Sequence, residues 1–253
     1  MPSPDHNLFF ASRVENGIVH LDNEESRHAM SVLRFSTGEI IQVTDGKGVI
    51  YECRIPAESQ GMEDALSRGT ARHLQIVSTK QVPQSQCPVR MFIGICDRDR
   101  FEELAENCAA LGADRVTPLV CRFCQKPWWS AWDKQAPRIN KKLVAGVKQS
   151  RNPWLPQLAE PTAFGDALSK IGPSLVIAAE ADGTRFVDVI GKIKQATAVS
   201  CFVGPPGGFS PDELERLKTS GALFLSLSEN RLRTELAAVV LCNAVKLVRG
   251  DSA

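Results

Sequence analysis

The sequence predicts an α/β protein in which a parallel sheet covered by helices follows a small β-barrel-like module. Short β-type runs separated by turn signals occupy the first eighty residues, whereas apolar runs alternate with helical segments from residue 89 onward. Strands that alternate with helices form parallel sheets with both faces covered. The chain of 253 residues is long enough for both parts.

The N-terminal module is predicted to contain short strands and one helix. The helix covers about residues 23–34, and Asp22 or Asn23 is available to cap its first turn. The predicted strands are 17–21, 39–45, 48–55 and 73–79. A polar segment with two prolines follows, so the predicted domains are a barrel at 1–80, a linker at 81–88 and a second domain at 89–253.

The second domain is predicted to alternate strands and helices. The predicted strands are 89–95, 116–120, 175–181, 198–204 and 222–227. The predicted helices are 99–111, 134–150, 163–171, 184–195, 211–220 and 234–249. The last helix is apolar nearly all round, which predicts burial on several sides, one of which a partner subunit could supply.

The segment "CFVGPPGGFSPDELERL" (201–217) places a glycine-rich loop between a buried strand and a helix. Ser210 is suited to cap that helix, with Pro211 at its first position and Glu213 three residues after the cap. Loops at this place in α/β proteins commonly bind ligands. The glycines could instead serve only a tight connection, and the loop alone does not decide between the two.

Composition and termini favour a soluble cytoplasmic protein. No run approaches the roughly 20 apolar residues of a membrane span, and the N-terminus lacks the features of a signal peptide. The eight cysteines are scattered, so free thiols are expected rather than disulfides. Cys121 and Cys124 form one CxxC without a second pair at zinc spacing, which favours buried thiols over a metal or redox site. No metal is predicted.

A basic block at 115–151 carries nine Lys or Arg residues against one acidic residue, Asp133, and all four tryptophans lie in or beside it. Basic residues interleaved with aromatics suit an RNA backbone with stacked bases. A solvated face with buried tryptophans explains the same pattern, and both interpretations stay open.

Three strand-end segments are candidates for a ligand site: 179–183, 204–208 and 228–235. No GxGxxG or GxxxxGK[ST] motif is present, which argues against dinucleotide enzymes and P-loop NTPases. If the segments converge, their backbone groups could bind a flat heterocycle. Thr234 could cap the last helix and place Arg233 at its positively polarised start, where negative charge is stabilised. Alternatively, Arg233 and Glu235 could form only a surface ion pair, with no role in ligand binding.

Five segments together resemble one family. "GPPGGFSPDE" and "LSENRLRTEL" resemble the signatures GPEGG-[FLW]-[ST] and LGxRxLRxET of the RsmE family, methyltransferases of a uridine N3 in 16S ribosomal RNA. "RHAMSVLRFSTGE" (27–39), "LGADRVTPL" (111–119) and "KQSRNPWLP" (148–156) are similar to further family motifs. The matches occur in the family's order and cover nearly the whole chain.

The resemblance implies a PUA-like barrel that docks RNA, then a SPOUT domain with a trefoil knot, which binds S-adenosylmethionine and forms homodimers. Uridine N3 must lose its proton before it can accept a methyl group, and the negative charge then spreads over the base. Arg233 is expected to stabilise that charge, and Glu235 or a water is expected to remove the proton. The residues implied for the methyl donor are Ala179, Glu180, Val203, Gly204, Pro205, Gly207, Gly208, Leu227, Ser228, Asn230, Leu232 and Arg233.

The 16S RNA of the 30S subunit is the expected partner. The residues expected to contact it are Arg27, His28, Arg34, Arg98, Arg100, Arg122, Lys126, Lys148 and Arg151.

The sequence departs from the family pattern at several positions, which marks a divergent member. Pro206 stands where the family has Glu, and Ser228-Glu229 stand where the family has Gly-Pro. Asp97 lies where a basic residue is expected, and Asn107 lies where a Lys is expected. Two alternatives therefore stay open: a SPOUT methyltransferase of another RNA position, such as a ribose 2′-hydroxyl, and an RNA-binding homologue without activity. Donor binding and the position of the product methyl distinguish them.

Overall fold

The computed structural model describes residues 7–33, 35–56, 73–124 and 127–249. Contacts divide the chain into two compact units. The first contains residues up to Gln84 together with Val147–Leu155, and the second contains Ser85–Gly146 and the residues from Pro156. The predicted domain boundaries at residues 80 and 89 stay a prediction, because the first unit also includes Val147–Leu155 from later in the chain.

The first unit is a closed barrel of five strands in the order β1-β2-β5-β4-β3. Neighbouring strands are antiparallel except β1 and β3, which pair in parallel and close the barrel. The barrel predicted from the sequence is thereby confirmed, but β1 was not predicted. The strands are β1 (Leu8–Glu15), β2 (Ile18–Leu21), β3 (Ile40–Thr44), β4 (Val49–Arg54) and β5 (His73–Gln81).

One short helix, α1 (Asn23–Arg27), follows β2, and its first turn is capped as predicted. The side chain of Asp22 accepts a hydrogen bond from the Glu25 N–H at 2.8 Å. The helix continues as a π-helical turn over His28–Val32. π-Helical turns are rare in proteins, and those that occur are often found at functional sites.

The second unit contains a parallel sheet of seven strands in the order β12-β10-β11-β6-β7-β8, with β9 also paired to β7. The predicted α/β class is therefore confirmed. The central strand β11 is buried along its whole length because both faces of the sheet are covered. The strands are β6 (Val89–Gly94), β7 (Arg115–Val120), β8 (Gln157–Leu158), β9 (Thr162–Ala163), β10 (Leu175–Arg185), β11 (Val199–Val203) and β12 (Leu223–Ser226).

The helices of the second unit follow the predicted order. They are α2 (Arg98–Ala110), α3 (Trp132–Ser150, whose last turn belongs to the first unit), α4 (Phe164–Lys170), α5 (Ile190–Gln195), α6 (Pro211–Thr219) and α7 (Thr234–Arg249). None of the described helices is long and apolar enough to cross a membrane.

The predicted helix at 184–195 is wrong in its first half, because β10 continues to Arg185. Thr184 and Arg185 pair with β12 after an irregularity in the register that begins at Ala179. Gly183 lies directly against the β12 backbone, where an added Cβ would come within 2.6 Å of Leu225. Residues 180–183 thus form a bulge within β10. Their sequence, "EADG", resembles a turn, so the strand was predicted to end before Thr184.

Candidate active site

A cavity of about 510 Å³ lies at the carboxyl ends of β10, β11 and β12. The three segments predicted to converge, 179–183, 204–208 and 228–235, all contribute to its walls. The start of α2 adds Arg100. The carboxyl ends of parallel strands are the usual position for ligands in open α/β sheets.

An internal hydrogen bond tightens the loop 204–208, and a capping box holds the start of the helix that follows it. The Gly208 N–H donates to the Pro205 carbonyl at 2.7 Å, and Gly208 has a φ of +76°, a conformation that favours glycine. The predicted cap of α6 is present as a capping box. Glu213 Oε2 accepts from the Ser210 N–H at 2.8 Å, and Ser210 Oγ accepts from the Glu213 N–H at 3.3 Å.

The end of β6 lies directly beneath this loop. A Cβ added to Gly94 would come within 2.2 Å of the Pro205 nitrogen and 2.6 Å of the Gly204 carbonyl carbon. Because Gly94 has no side chain, the backbone of the loop can lie in direct contact with the end of β6. A glycine at a strand end often marks such a close approach of backbone, but the sequence analysis did not use this signal.

Thr234 ties the loop to the last helix. Its side chain is buried, and its hydroxyl donates to the Gly204 carbonyl at 2.9 Å. Thr234 is itself the first residue of α7, so the expected capping role is replaced by a contact with the loop. The hydrogen bond fixes the start of α7, where Arg233 and Glu235 also lie, against the loop 204–208.

The structure brings together all the residues predicted to bind a methyl donor except Gly207. Both predicted catalytic residues, Arg233 and Glu235, also line the cavity. Gly207 faces the turn after β7, since a Cβ there would come within 2.8 Å of the Phe123 Cβ. The lining residues that the sequence analysis did not assign to the donor are Arg100, Ala181, Pro206, Phe209, Leu225, Arg231, Thr234, Glu235 and Ala237.

An ion pair lies in the wall of the cavity. Arg100 Nη1 donates to Glu235 Oε1 at 3.1 Å, and the two side chains are 47% and 21% exposed. Burial, with a smaller contribution from the Glu235 charge, raises the pKa of the neighbouring Cys96 thiol to about 12. Cys96 is thus a neutral thiol at neutral pH. Glu235 has a cationic partner, and Arg233 is exposed.

Two of the four basic residues predicted to contact RNA in the second unit, Arg98 and Arg100, have ionic partners. Arg98 pairs with Asp99 at 3.0 Å and lies 3.8 Å from a Glu102 carboxylate oxygen. Arg122 is exposed, and Lys126 lies outside the described residues. The Trp128 indole N–H donates to the Cys96 carbonyl at 2.9 Å, so this tryptophan has a structural contact.

In the first unit, the predicted RNA contacts divide into exposed and internally bound side chains. Arg27 and His28 are exposed on α1 and the π-helical turn, while Arg34 lies outside the described residues. Lys148 forms an ion pair with the buried Glu25 carboxylate. Arg151 donates to the side chain of Gln42 at 2.5 Å.

Comparison with known proteins identifies the family. A family model described as an RNA methyltransferase domain matches residues 83–246, and one described as an RNA methyltransferase PUA domain matches residues 21–59. The chain belongs to this RNA methyltransferase family. The prediction of a methyltransferase domain preceded by a PUA-type domain is thereby confirmed, while the trefoil knot stays a prediction.

Individual members of the family align over most of the chain. The chain is 28% identical to ribosomal RNA small subunit methyltransferase E of Mycobacterium bovis over 247 residues, which cover 94% of this chain and 90% of the relative. It is 26% identical to the Synechocystis protein of the same name, with 88% and 70% covered.

A solved structure has the same fold. The chain superimposes with a TM-score of 0.80 and 20% identity on the crystal structure of ribosomal RNA small subunit methyltransferase E from Neisseria gonorrhoeae bound to S-adenosyl methionine. The alignment covers 98% of this chain and 99% of that one.

Proposed function

We propose that this chain transfers a methyl group from S-adenosylmethionine to N3 of a uridine in 16S ribosomal RNA, in the cytoplasm. The family membership supports RNA methylation, and the names of the Mycobacterium and Neisseria relatives support the small-subunit RNA and the donor. The observation that carries the proposal is the convergence of three strand-end segments in one cavity.

The volume of the cavity is suitable for S-adenosylmethionine. Ligand pockets span roughly 300–1,000 Å³, and this cavity measures about 510 Å³. Its walls combine the apolar side chains of Val203, Leu227 and Leu232 with backbone groups of the loop 204–208. An added Cβ at Gly204 would come within 3.2 Å of Gly208, so glycine there lets the loop fold tightly against itself.

The residues proposed to hold the donor come from all three segments. They are Ala179, Glu180, Val203, Gly204, Pro205, Gly208, Leu227, Ser228, Asn230, Leu232 and Arg233. When bound, S-adenosylmethionine supplies an electrophilic methyl group on sulfur. The task of the protein is then to orient N3 of the base and to stabilise the charge that develops on it.

Arg233 is proposed to stabilise the base as N3 loses its proton. Negative charge then spreads onto the O2 and O4 atoms of the uracil, and an exposed guanidinium at the start of α7 suits that charge. Glu235, two residues further along the chain and paired with Arg100, accepts the proton directly or through a water.

RNA binding is proposed to use exposed basic side chains of both units. In the first unit these are Arg27 and His28, and in the second they include Arg122 beside the loop 204–208. Arg34 and Lys126 are proposed from the sequence alone. Lys148 and Arg151 have internal partners, so we expect a smaller effect of their substitution on RNA affinity than for Arg27.

The protein is proposed to act as a homodimer through the second unit. The last helix α7 exposes Leu236 by 49% and Leu247 by 60%, although the same helix buries apolar residues on its other side. Leu236 and Leu247 are separated by three turns of helix and lie on one face. A second copy packed on this face would remove both side chains from water.

A paired measurement on Arg233→Ala tests the proposal. Isothermal titration with S-adenosylmethionine measures donor binding, and single-turnover transfer to 16S RNA measures chemistry. The account predicts a loss of about 10²–10³-fold in the single-turnover rate, as when one donor of an oxyanion site is removed. A single-turnover rate equal to that of the unmodified protein would refute the role of Arg233. Arg249→Ala, at the far end of α7, is the matched control.

A further inference from the structure

The turn after β7 brings two cysteines together. The Cys124 N–H donates to the Cys121 carbonyl at 3.2 Å, and the Cys121 N–H donates to Cys124 Sγ, also at 3.2 Å. The Cys124 thiol in turn donates to the Leu119 carbonyl at 3.5 Å. A turn of this kind holds its first and last Cα atoms within about 7 Å, and disulfides span roughly 4.4–6.8 Å. The backbone is thus already arranged for a bond between the two sulfurs.

The two thiols differ in access and acidity. Cys121 is buried with 6% exposure, whereas Cys124 is half-buried. The hydrogen bond from the Cys121 thiol, together with backbone N–H donors, lowers the pKa of Cys124 to about 7, although burial and the Glu213 carboxylate act in the opposite direction. The same thiol–thiol bond, then burial and the nearby Glu213, raise the pKa of Cys121. Cys124 is therefore suited to attack a disulfide, and Cys121 to resolve the product.

The other cysteines lack this combination. Burial raises the pKa of Cys53 to about 12 and also raises the pKa of Cys201, whereas the neighbouring Cys242 thiol, together with burial, raises the pKa of Cys108. Cys108 and Cys242 are both fully buried, so neither thiol is accessible to a disulfide in solution. Among the described residues, no third His, Cys, Asp or Glu completes a metal-binding group with the pair. A structural zinc site normally requires four such ligands. Redox chemistry therefore explains the arrangement better than metal binding.

We propose that Cys121 and Cys124 are a reversible dithiol–disulfide pair that exchanges with small-molecule disulfides such as oxidised glutathione. The Cys124 thiolate attacks one sulfur of oxidised glutathione, the glutathione S–S bond breaks, and one glutathione leaves as a thiolate. Cys121 gives its proton to solvent and attacks Cys124 Sγ, and the second glutathione leaves. Two protein thiols are oxidised and one external disulfide is reduced to two thiols.

The pair is joined to the cavity loop through the two residues between the cysteines. The Arg122 N–H donates at 2.8 Å to Glu213 Oε1, the same carboxylate that caps α6 after the loop. Phe123 packs against Gly207, where an added Cβ would come within 2.8 Å of the Phe123 Cβ. The redox pair therefore lies immediately behind the loop 204–208. The proposal itself does not depend on methyl transfer.

Mass spectrometry of the full-length protein tests the proposal. The protein is equilibrated at stepped ratios of reduced to oxidised glutathione, quenched with acid and alkylated, and the peptide containing both cysteines is analysed. We expect an internal disulfide without bound glutathione, which returns to two alkylated thiols as the ratio is raised. Full alkylation of both cysteines in excess oxidised glutathione would overturn the proposal.

Two single variants separate the roles of the sulfurs. Cys121→Ser is expected to retain one glutathione on Cys124, because the resolving thiol is missing. Cys124→Ser is expected to react at least tenfold more slowly with oxidised glutathione, because the remaining thiol is buried and its pKa is raised. Cys53→Ser, in the barrel, is the control and should behave as the unmodified protein. A Cys121→Ser protein that is folded by circular dichroism but carries no glutathione would contradict the assignment.

Discussion

Replacing Gly94 by alanine should displace the loop that forms one wall of the cavity. The added Cβ would lie 2.2 Å from the Pro205 nitrogen, whereas ordinary contacts begin at 3.4 Å, so the loop must move by about 1.2 Å (3.4 minus 2.2). Overpacking of this kind costs about 1–3 kcal/mol of stability. A misplacement of about 1 Å in a site can cost about 10²-fold in rate.

Three measurements on Gly94→Ala check this reasoning. We expect a lower melting temperature, a Kd for S-adenosylmethionine at least about tenfold higher and a barrel unit that stays folded by circular dichroism. Gly191→Ala is the matched control, because a Cβ at Gly191 in α5 meets no atom within 4 Å. It should stabilise the protein by about 0.5–1 kcal/mol and leave donor binding unchanged. Equal donor affinity in Gly94→Ala and the unmodified protein would refute the view that β6 positions the loop.

Three further perturbations follow from the same contacts. Thr234→Val removes the hydroxyl that donates to Gly204, at a cost of about 1–3 kcal/mol, so calorimetry should show weaker donor binding, whereas Thr234→Ser should retain it. Because the thiolate is the reactive form, alkylation of Cys124 by iodoacetamide should rise with pH to half its maximum at about pH 7; a rise only above pH 8 would contradict the lowered pKa. Leu236→Glu combined with Leu247→Glu should shift the sedimentation coefficient from dimer to monomer, and an unchanged value would exclude this face as the interface.

Local sequence signals were sufficient for the elements that surround the cavity loop. The capping residues Ser210 and Glu213 and the apolar strand before the loop are contiguous in the chain, so each could be recognised by itself. The strand β1 was missed because it closes the barrel through pairing with β3, more than thirty residues away in sequence. The two-residue strands β8 and β9 are too short to carry a periodic pattern.

Sequence motifs identified the candidate site residues. The sequence could not predict which of these residues contact each other in the folded protein. Arg100 and Glu235 are separated by 135 positions, and only the fold brings their charges within 3.1 Å. The hydrogen bond between Thr234 and Gly204 is likewise a product of packing between α7 and the loop. The position of Gly207 against Phe123 shows that a glycine motif predicts a tight loop, but not which of its glycines lines the cavity.

The most direct test of the proposed function is transfer of labelled methyl from S-adenosylmethionine to 30S particles and 16S RNA that lack their native modifications, followed by nucleoside mapping. The account predicts label at N3 of a uridine in 16S RNA, lost with Arg233→Ala. Label on a ribose 2′-hydroxyl or another base, or donor binding without any transfer, would contradict it.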